Sequence, residues 1–160
     1  MMQPEDIRRF LARAIDLARE GMASVKGGPF GCVIVKDGEV LAEGYNRVTS
    51  EQDPTAHAEI VAIREACRRL GTFQLEGCTL FSSCEPCPMC LGAIYWARPE
   101  AVYYAGTRGD AARAGFDDAF IYEEIARQGP DRSIPFTHVP VEGAAAVFDD
   151  WKRQTGKQTY

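Results

Sequence analysis

Two cysteines three residues apart, Cys87 and Cys90, are the residues of this sequence that most clearly predict chemistry. They lie in the run EPCPMC at residues 85–90, where a strand is expected to end and a helix to begin. Side chains at positions i and i+3 of a first helical turn share a face, so both sulfurs can reach one metal ion. The positive end of that helix also favours thiolate over thiol. Zinc ribbons and redox pairs use the same spacing, so this motif alone leaves the function open.

A second motif, His57-Ala58-Glu59, begins another predicted helix and could complete a metal site. If both helix N-termini point at one place, His57, Cys87 and Cys90 supply three zinc ligands. Three protein ligands with an open fourth position are typical of catalytic zinc, whereas a structural site has a fourth protein ligand. Two thiolates neutralise the charge of Zn²⁺, which makes it a weaker acid towards water, so a base is needed nearby. Glu59 is the candidate for that base.

The other four of the six cysteines are expected to do no chemistry. Cys84 extends the run to C-x-x-C-x-x-C, but no fourth cysteine follows it, which argues against an iron–sulfur cluster of that pattern. We expect Cys84 to end a strand near the metal without binding it. The remaining three are predicted to fill the core: Cys32, Cys67 and Cys78.

Length and charge restrict the class of protein and its substrate. The 160 residues predict one domain, because no repeat and no long Ser/Gly/Pro-rich linker divides them. A net charge of −5 argues against a partner such as nucleic acid or an anionic membrane, and favours a small or neutral substrate. No apolar run approaches the ~20 residues of a membrane span, and the first residues do not resemble a signal peptide. The expected location is therefore cytoplasmic, where cysteines stay reduced.

Helices and strands alternate in the predicted order of elements that must position the motifs. Helical periodicity predicts helices at residues 4–22, 56–70, 88–97, 119–127 and 144–154. Strands are predicted at residues 30–36 and 39–45, on either side of an Asp37-Gly38 turn, and at residues 78–82, 101–105 and 134–141. Pro135 and Pro140 favour a sheet edge for the last strand. Together these elements predict an α/β fold, a three-layer α/β/α sandwich with a mixed five-stranded sheet.

The motifs also resemble those of a known group of enzymes. His57-Ala58-Glu59 followed by PCPMC at residues 86–90 resembles H-x-E with P-C-x-x-C, the zinc signature of the cytidine deaminase superfamily. Further stretches resemble the short bacterial guanine deaminases, and this similarity covers nearly the whole chain. They are GPFG at residues 28–31, DPTAHAE at residues 53–59, residues 84–96 and AGFDD at residues 114–118. The resemblance implies a cytidine deaminase-like fold, one Zn²⁺ per chain, and hydrolytic deamination of guanine to xanthine and ammonia.

The resemblance also implies roles for individual residues. Glu59 would move protons between water, ring and leaving amine, and Asp118 would face the amino edge of the substrate and share in proton transfer. Chains of this family pair as homodimers, so the C-terminal segment, about residues 144–160, would be exchanged with the partner and Tyr160 would close the partner's site. The implied substrate contacts are Phe30, Asn46, His57, Ala58, Trp96, Phe116 and Tyr160.

The sequence leaves other roles open for several of these residues and other functions open for the zinc site. Asn46 could simply end a strand, Asp117 and Asp118 could cap the following helix, and Trp96 could belong to the core or to a dimer interface. The zinc signature is shared with tRNA adenosine deaminases, although the acidic balance argues against RNA. Deaminases of cytosine, cytidine or aminotriazines use the same zinc chemistry. A structural zinc module is the alternative outside enzymes, and the open ligand position and Glu59 oppose it.

Overall fold

The chain divides into two compact units, of which the first ends at Ala119 and contains the sheet. The structure, a computed structural model, describes residues 2–160. The first unit holds α1 (Pro4–Ala23), β1 (Gly31–Lys36), β2 (Glu39–Tyr45), α2 (Val48–Glu51), α3 (Ala58–Leu70), β3 (Cys78–Cys84), α4 (Pro88–Ala97), β4 (Ala101–Gly106) and α5 (Arg108–Arg113).

The four strands form one mixed sheet in the order β2-β1-β3-β4. Strand β1 pairs antiparallel with β2 and β3, whereas β3 and β4 are parallel and are connected through α4. The hairpin between β1 and β2 turns at Asp37 and Gly38, which both have positive φ, as a two-residue hairpin turn requires. These observations confirm the predicted mixed sheet, the Asp-Gly hairpin and the parallel crossover.

Helices cover both faces of this sheet. Successive residues of β1 point to opposite sides, so each set of side chains packs against a different helix. Cys32 and Ile34 pack with small residues of α3, while Val33 and Val35 pack with α1. Gly44 of β2 allows α3 to approach closely, since a Cβ atom there would lie 2.5 Å from the backbone oxygen of Ala58. The N-terminus of α3 is therefore held directly against the sheet.

The second unit, Phe120–Tyr160, contains no strand. Its helices are α6 (Ala119–Ala126, which begins one residue earlier), a 3₁₀ turn at Gly129–Asp131 and α7 (Ala146–Arg153). The prediction of a fifth strand at residues 134–141 is wrong, and the sheet has four strands. Pro135 and Pro140 have no N–H to donate to a strand partner, and the N–H of Phe136 donates instead to the backbone oxygen of Gly129.

Two short helices, α2 and α5, were not predicted from the sequence. Helix α5 begins with a capping box, in which the Thr107 hydroxyl accepts from the N–H of Asp110 and the Asp110 carboxylate accepts from the N–H of Thr107. The spacing of these two residues is the signal that would have predicted it. Across residues 2–160, every helix is too short or too polar to cross a membrane.

Candidate active site

The three predicted metal ligands come together at the beginnings of α3 and α4. His57 is the N-cap of α3 and Cys87 the N-cap of α4, and Cys90 lies in the first turn of α4. Pro88 directly follows Cys87 and suits the first helical position, because its fixed φ matches the helix and it has no N–H to satisfy. The ligand atoms of the three residues all lie within 4.8 Å of one another. The prediction that both helix N-termini point at one place is confirmed.

Distances between these atoms fit tetrahedral zinc. With Zn–S bonds of about 2.3 Å and Zn–N bonds of about 2.05 Å, a sulfur and a nitrogen of a tetrahedral site lie about 3.6 Å apart. Nδ1 of His57 lies 3.5 Å from Sγ of Cys87 and 3.5 Å from Sγ of Cys90. Nδ1 is thus the His57 atom that would bind the metal. The cluster has three members among residues 2–160, so the fourth position is left for water or substrate.

The electrostatics of the two cysteines also suit a metal ion. The neighbouring Cys90 and His57 side chains, together with the backbone N–H of Cys90 that donates to Sγ of Cys87, lower the pKa of Cys87 to about 4. Beside this thiolate, and shielded from water, Cys90 has a raised pKa. The lowered pKa favours a thiolate at Cys87, and a divalent cation would also favour loss of the Cys90 proton.

Glu59 lies beside the sulfurs with its carboxylate almost fully buried. Its residue exposure is 6%, and burial raises the pKa of the carboxyl above its ordinary value. Oε1 accepts a hydrogen bond from the Ser82 hydroxyl at 3.1 Å, and Oε2 accepts from Sγ of Cys90 at 3.3 Å. A carboxyl group with a raised pKa next to an open metal position can take a proton from water and release it again.

A cavity of about 220 Å³ opens beside the cluster. Its volume is below the about 300–1,000 Å³ of pockets for drug-sized ligands, as suits a small planar molecule. Phe30 and Phe116 meet edge to face in its wall, with ring centroids 4.9 Å apart. Seven of the predicted site residues line it, namely Phe30, Asn46, His57, Glu59, Cys87, Phe116 and Asp118, together with Gly28, Val48, Thr49 and Glu85.

Asn46 is held in this wall by the backbone around it. Its Oδ1 accepts from the N–H groups of Gly28, at 3.1 Å, and Val48, at 3.2 Å. The NH₂ group of the same amide is then the part that can donate into the cavity. Gly27 makes room for Asn46, because a Cβ atom at that position would lie 2.2 Å from Oδ1. A hydrogen bond from Asn46 to a bound base stays a prediction that this geometry supports.

The two neighbouring acids Asp117 and Asp118 have different surroundings. Oδ1 of Asp117 accepts from the N–H of Ala119 at 3.0 Å and so caps the following helix. Asp118 lines the cavity, where burial and the nearby Cys87 thiolate raise the pKa of its carboxyl. The capping interpretation therefore applies to Asp117, while Asp118 lines the cavity and its contact with a substrate stays a prediction.

Three residues predicted as substrate contacts do not line the cavity. Ala58 is fully buried and its methyl group packs in the core, so only its backbone could meet a base. Trp96, on α4, has an exposed fraction of 63%. Tyr160 belongs to the second unit and is 70% exposed. Their predicted roles are not tested by this arrangement.

The other cysteines lie where they were expected. The thiol of Cys84, at the end of β3, donates to the backbone oxygen of Thr107 at 3.5 Å, and Cys84 is not a member of the metal cluster. Cys32 and Cys78 are buried in the core that includes α3, and Cys67 packs against it.

Sequence reasoning missed the hydrogen-bond partner of Glu59 and an ion pair in the wall of the cavity. The Ser82 hydroxyl donates to Glu59, and its only sequence signal was a polar residue on the strand face that also carries Cys78 and Leu80. Glu85 lines the cavity and forms an ion pair with Arg108, whose Nη2 lies 2.6 Å from Oε1 of Glu85. No local spacing connects Glu85 with Arg108, so this ion pair had no sequence signal.

Comparison with known proteins places these residues in a family context. Residues 4–106 match the family model described as the cytidine and deoxycytidylate deaminase zinc-binding region. This match contains His57, Glu59, Cys87 and Cys90.

Two curated relatives and one solved structure extend the comparison. The chain is 57% identical over 151 residues to guanine deaminase of Bacillus subtilis (strain 168), covering 94% of this chain and 97% of the relative. The crystal structure of guanine deaminase from Bacillus subtilis matches with a TM-score of 0.94 and 55% identity, covering 99% of each chain. A tRNA-specific adenosine deaminase of Aquifex aeolicus (strain VF5) is 51% identical over 124 residues, covering 77% of this chain and 79% of the relative.

Proposed function

This chain belongs to the cytidine and deoxycytidylate deaminase zinc-binding family, and we propose that it catalyses the hydrolytic deamination of guanine to xanthine and ammonia. The observation that carries this proposal is the 57% identity to a guanine deaminase over 94% of the chain. Because the structural match covers 99% of each chain, it includes the second unit as well as the metal site.

His57, Cys87 and Cys90 would hold a zinc ion, and zinc bound there would supply a Lewis acid that activates water for attack on C2 of guanine, the carbon that bears the amino group. Glu59 takes the proton of this water and passes protons to the neighbouring ring nitrogen and to the leaving amine. Its burial keeps bulk water away from these transfers and raises the pKa of the carboxyl, so that it can both accept and donate.

The cavity residues orient the base for this reaction. Asn46 donates through its NH₂ group to an acceptor atom of the purine, and Asp118 accepts from the amino edge and shares in proton transfer. Phe30, Phe116 and the ring of His57 enclose the faces of the base. The backbone of Ala58 is a further contact in this proposal, as are Trp96 and Tyr160.

The finer organisation is also part of the proposal. Residues 1–160 act as one zinc-dependent deaminase domain, a three-layer α/β/α sandwich. Two chains form a homodimer, in which the segment of about residues 144–160 is exchanged and Tyr160 closes the partner's site. The resemblance to short bacterial guanine deaminases supports this arrangement. Purine catabolism or salvage in the cytoplasm is the setting that the reaction suggests.

Deamination of adenosine in tRNA is the second candidate, because the Aquifex aeolicus relative that acts there is 51% identical. The net charge of −5 opposes it, since RNA binding requires neutralisation of several phosphates. The small cavity also favours a free base over a larger substrate.

An ammonia-release assay of the zinc-loaded protein separates these candidates. The substrates are guanine, adenine, cytosine, cytidine, guanosine and a tRNA anticodon stem-loop, with Glu59→Gln as the control for contaminating deaminases. We expect release from guanine, with xanthine as the product. Activity on the stem-loop alone would contradict the proposal and favour the tRNA candidate.

A further inference from the structure

Ser82 is a buried hydroxyl in contact with the proposed proton carrier. It lies in β3 opposite Cys32 of β1 and has an exposed fraction of 2%. Its Oγ donates to Oε1 of Glu59 at 3.1 Å. We propose that Ser82 is a positioning residue for the reaction, which fixes the rotation of the Glu59 carboxylate so that Oε2 is the oxygen that carries the proton. This inference rests on the proposed function.

The two oxygens of Glu59 have different partners. Oε1 is held by Ser82 on the sheet side, whereas Oε2 lies 3.3 Å from Sγ of Cys90, one of the metal ligands. The last torsion of a glutamate side chain is broad and roughly two-fold, so the carboxylate is not oriented by its own rotamer preference. The Ser82 donor on Oε1 restricts this freedom and keeps Oε2 on the side of the metal ligands.

The surroundings of Ser82 support a specific role for its hydroxyl. Leu80 and Ser82 share one face of β3, and Leu80 packs there with Cys32 and the small residues of α3. A hydroxyl on such an apolar face is unfavourable unless it is hydrogen-bonded. Glu59 supplies that partner. A paired strand in the interior of the sheet also holds a side chain more rigidly than a loop does.

Steady-state kinetics with guanine and zinc content test the inference in four proteins: the unmodified chain, Ser82→Ala, Ser82→Thr and Ser83→Ala. Because a hydrogen bond to a charged group is lost, Ser82→Ala should lower kcat about tenfold while KM changes less than about twofold. Zinc should stay near one ion per chain, and Ser82→Thr, which keeps the hydroxyl, should recover most of the rate. Ser83→Ala is the matched control, because the Ser83 hydroxyl accepts from the N–H of Gly31 and does not touch Glu59.

A double-mutant cycle with Glu59→Gln separates positioning from general structural damage. If Ser82 acts through Glu59, Ser82→Ala should cause no further loss of kcat in the Glu59→Gln background. Equal losses in both backgrounds, or an unchanged kcat in Ser82→Ala, would overturn the inference while guanine turnover by the unmodified protein stands. Absence of that turnover would contradict the proposed function itself, and with it the inference.

Discussion

The backbone N–H of Gly28 donates to Oδ1 of Asn46 at 3.1 Å, and this bond decides which end of the amide can meet a ligand. Val48 donates to the same oxygen at 3.2 Å, so two fixed donors orient the side chain. The NH₂ group is left to donate into the cavity. If Asn46 contacts the substrate as proposed, this arrangement would make the site selective for an acceptor atom on the base.

Asn46→Asp tests this selectivity while keeping the shape of the side chain. The oxygen that accepts from Gly28 and Val48 is retained, but the donor is replaced by an acceptor. We expect KM for guanine to rise by about tenfold or more, because a polar pair in a buried site is lost. Asn46→Ala is the comparison, since it also leaves both backbone N–H groups without their partner and should lower the thermal unfolding temperature as well. An unchanged KM in Asn46→Asp would exclude donation from Asn46 to the base.

Glu59→Gln should abolish proton transfer without removing the metal. The amide has nearly the same shape as the carboxylate and can still bind the Ser82 hydroxyl, but it cannot accept and release a proton. We expect about a 10²-fold or greater loss of kcat. Zinc content by elemental analysis should match that of the unmodified chain. Normal turnover in this variant would show that another group moves the proton.

Cysteine variants should distinguish metal ligands from their neighbours. Cys87→Ser removes a ligand and should lose most bound zinc, whereas Cys84→Ser should keep about one ion per chain. The reason is that Cys84 binds the Thr107 oxygen and lies outside the three-residue cluster. Removal of zinc with a chelator should also lower the unfolding temperature, because metal binding stabilises the folded chain. Equal metal loss from both variants would mean that the ligand set is wrong.

Local signals were enough to predict the metal ligands and the elements that hold them. Helix α4 spans Pro88–Ala97, the range that the sequence indicated, because Pro88 marks its first turn. The β1–β2 hairpin followed from Asp37 and Gly38. The helix and the hairpin each depend on residues close together in the chain, whereas His57 and Cys87, 30 residues apart, were related by the H-x-E and P-C-x-x-C motifs.

Features that depend on distant residues could not be predicted. The bond between Ser82 and Glu59 joins a strand to a helix, and no spacing in the sequence relates them. The apolar residues within 134–141 favoured a strand, but strand formation needs a partner with free donors and acceptors. The exposed Ile134 and Phe136 show that the apolar pattern is not buried within the described chain.

Arg108 should influence guanine binding without touching the metal. Its guanidinium binds the Glu85 carboxylate at the cavity wall, and its backbone N–H donates to the same carboxylate at 3.0 Å. Helix α5, which begins at Arg108, leads into the segment that carries Phe116 and Asp118. Loss of an ion pair worth up to about 1 kcal/mol should raise KM in Arg108→Ala by up to about fivefold, with zinc content unchanged. Arg113→Ala, which removes an exposed pair with Asp110, is the control and should leave KM unaltered.

The pair between Arg13 and Glu43 should make part of the stability depend on pH. Two hydrogen bonds from the guanidinium, at 2.7 and 2.8 Å, lower the pKa of Glu43. Since the pKa is lower in the folded state, the pair stabilises the fold above the unfolded value of about 4.3, and this contribution is lost as the pH falls through the folded pKa.

Glu43→Gln should therefore lower the free energy of unfolding by about 1 kcal/mol near neutral pH, because this pair, with side chains 36% and 33% exposed, stabilises the fold more than a fully exposed pair does. The difference from the unmodified chain should shrink as the pH is lowered towards about 3, which urea unfolding at several pH values would measure. Asp16→Asn removes an exposed pair with Arg19 on the same helix as Arg13, and should have a smaller effect at every pH. A difference for Glu43→Gln that stays constant with pH would show that its carboxylate charge does not contribute, and that the side chain acts only through packing.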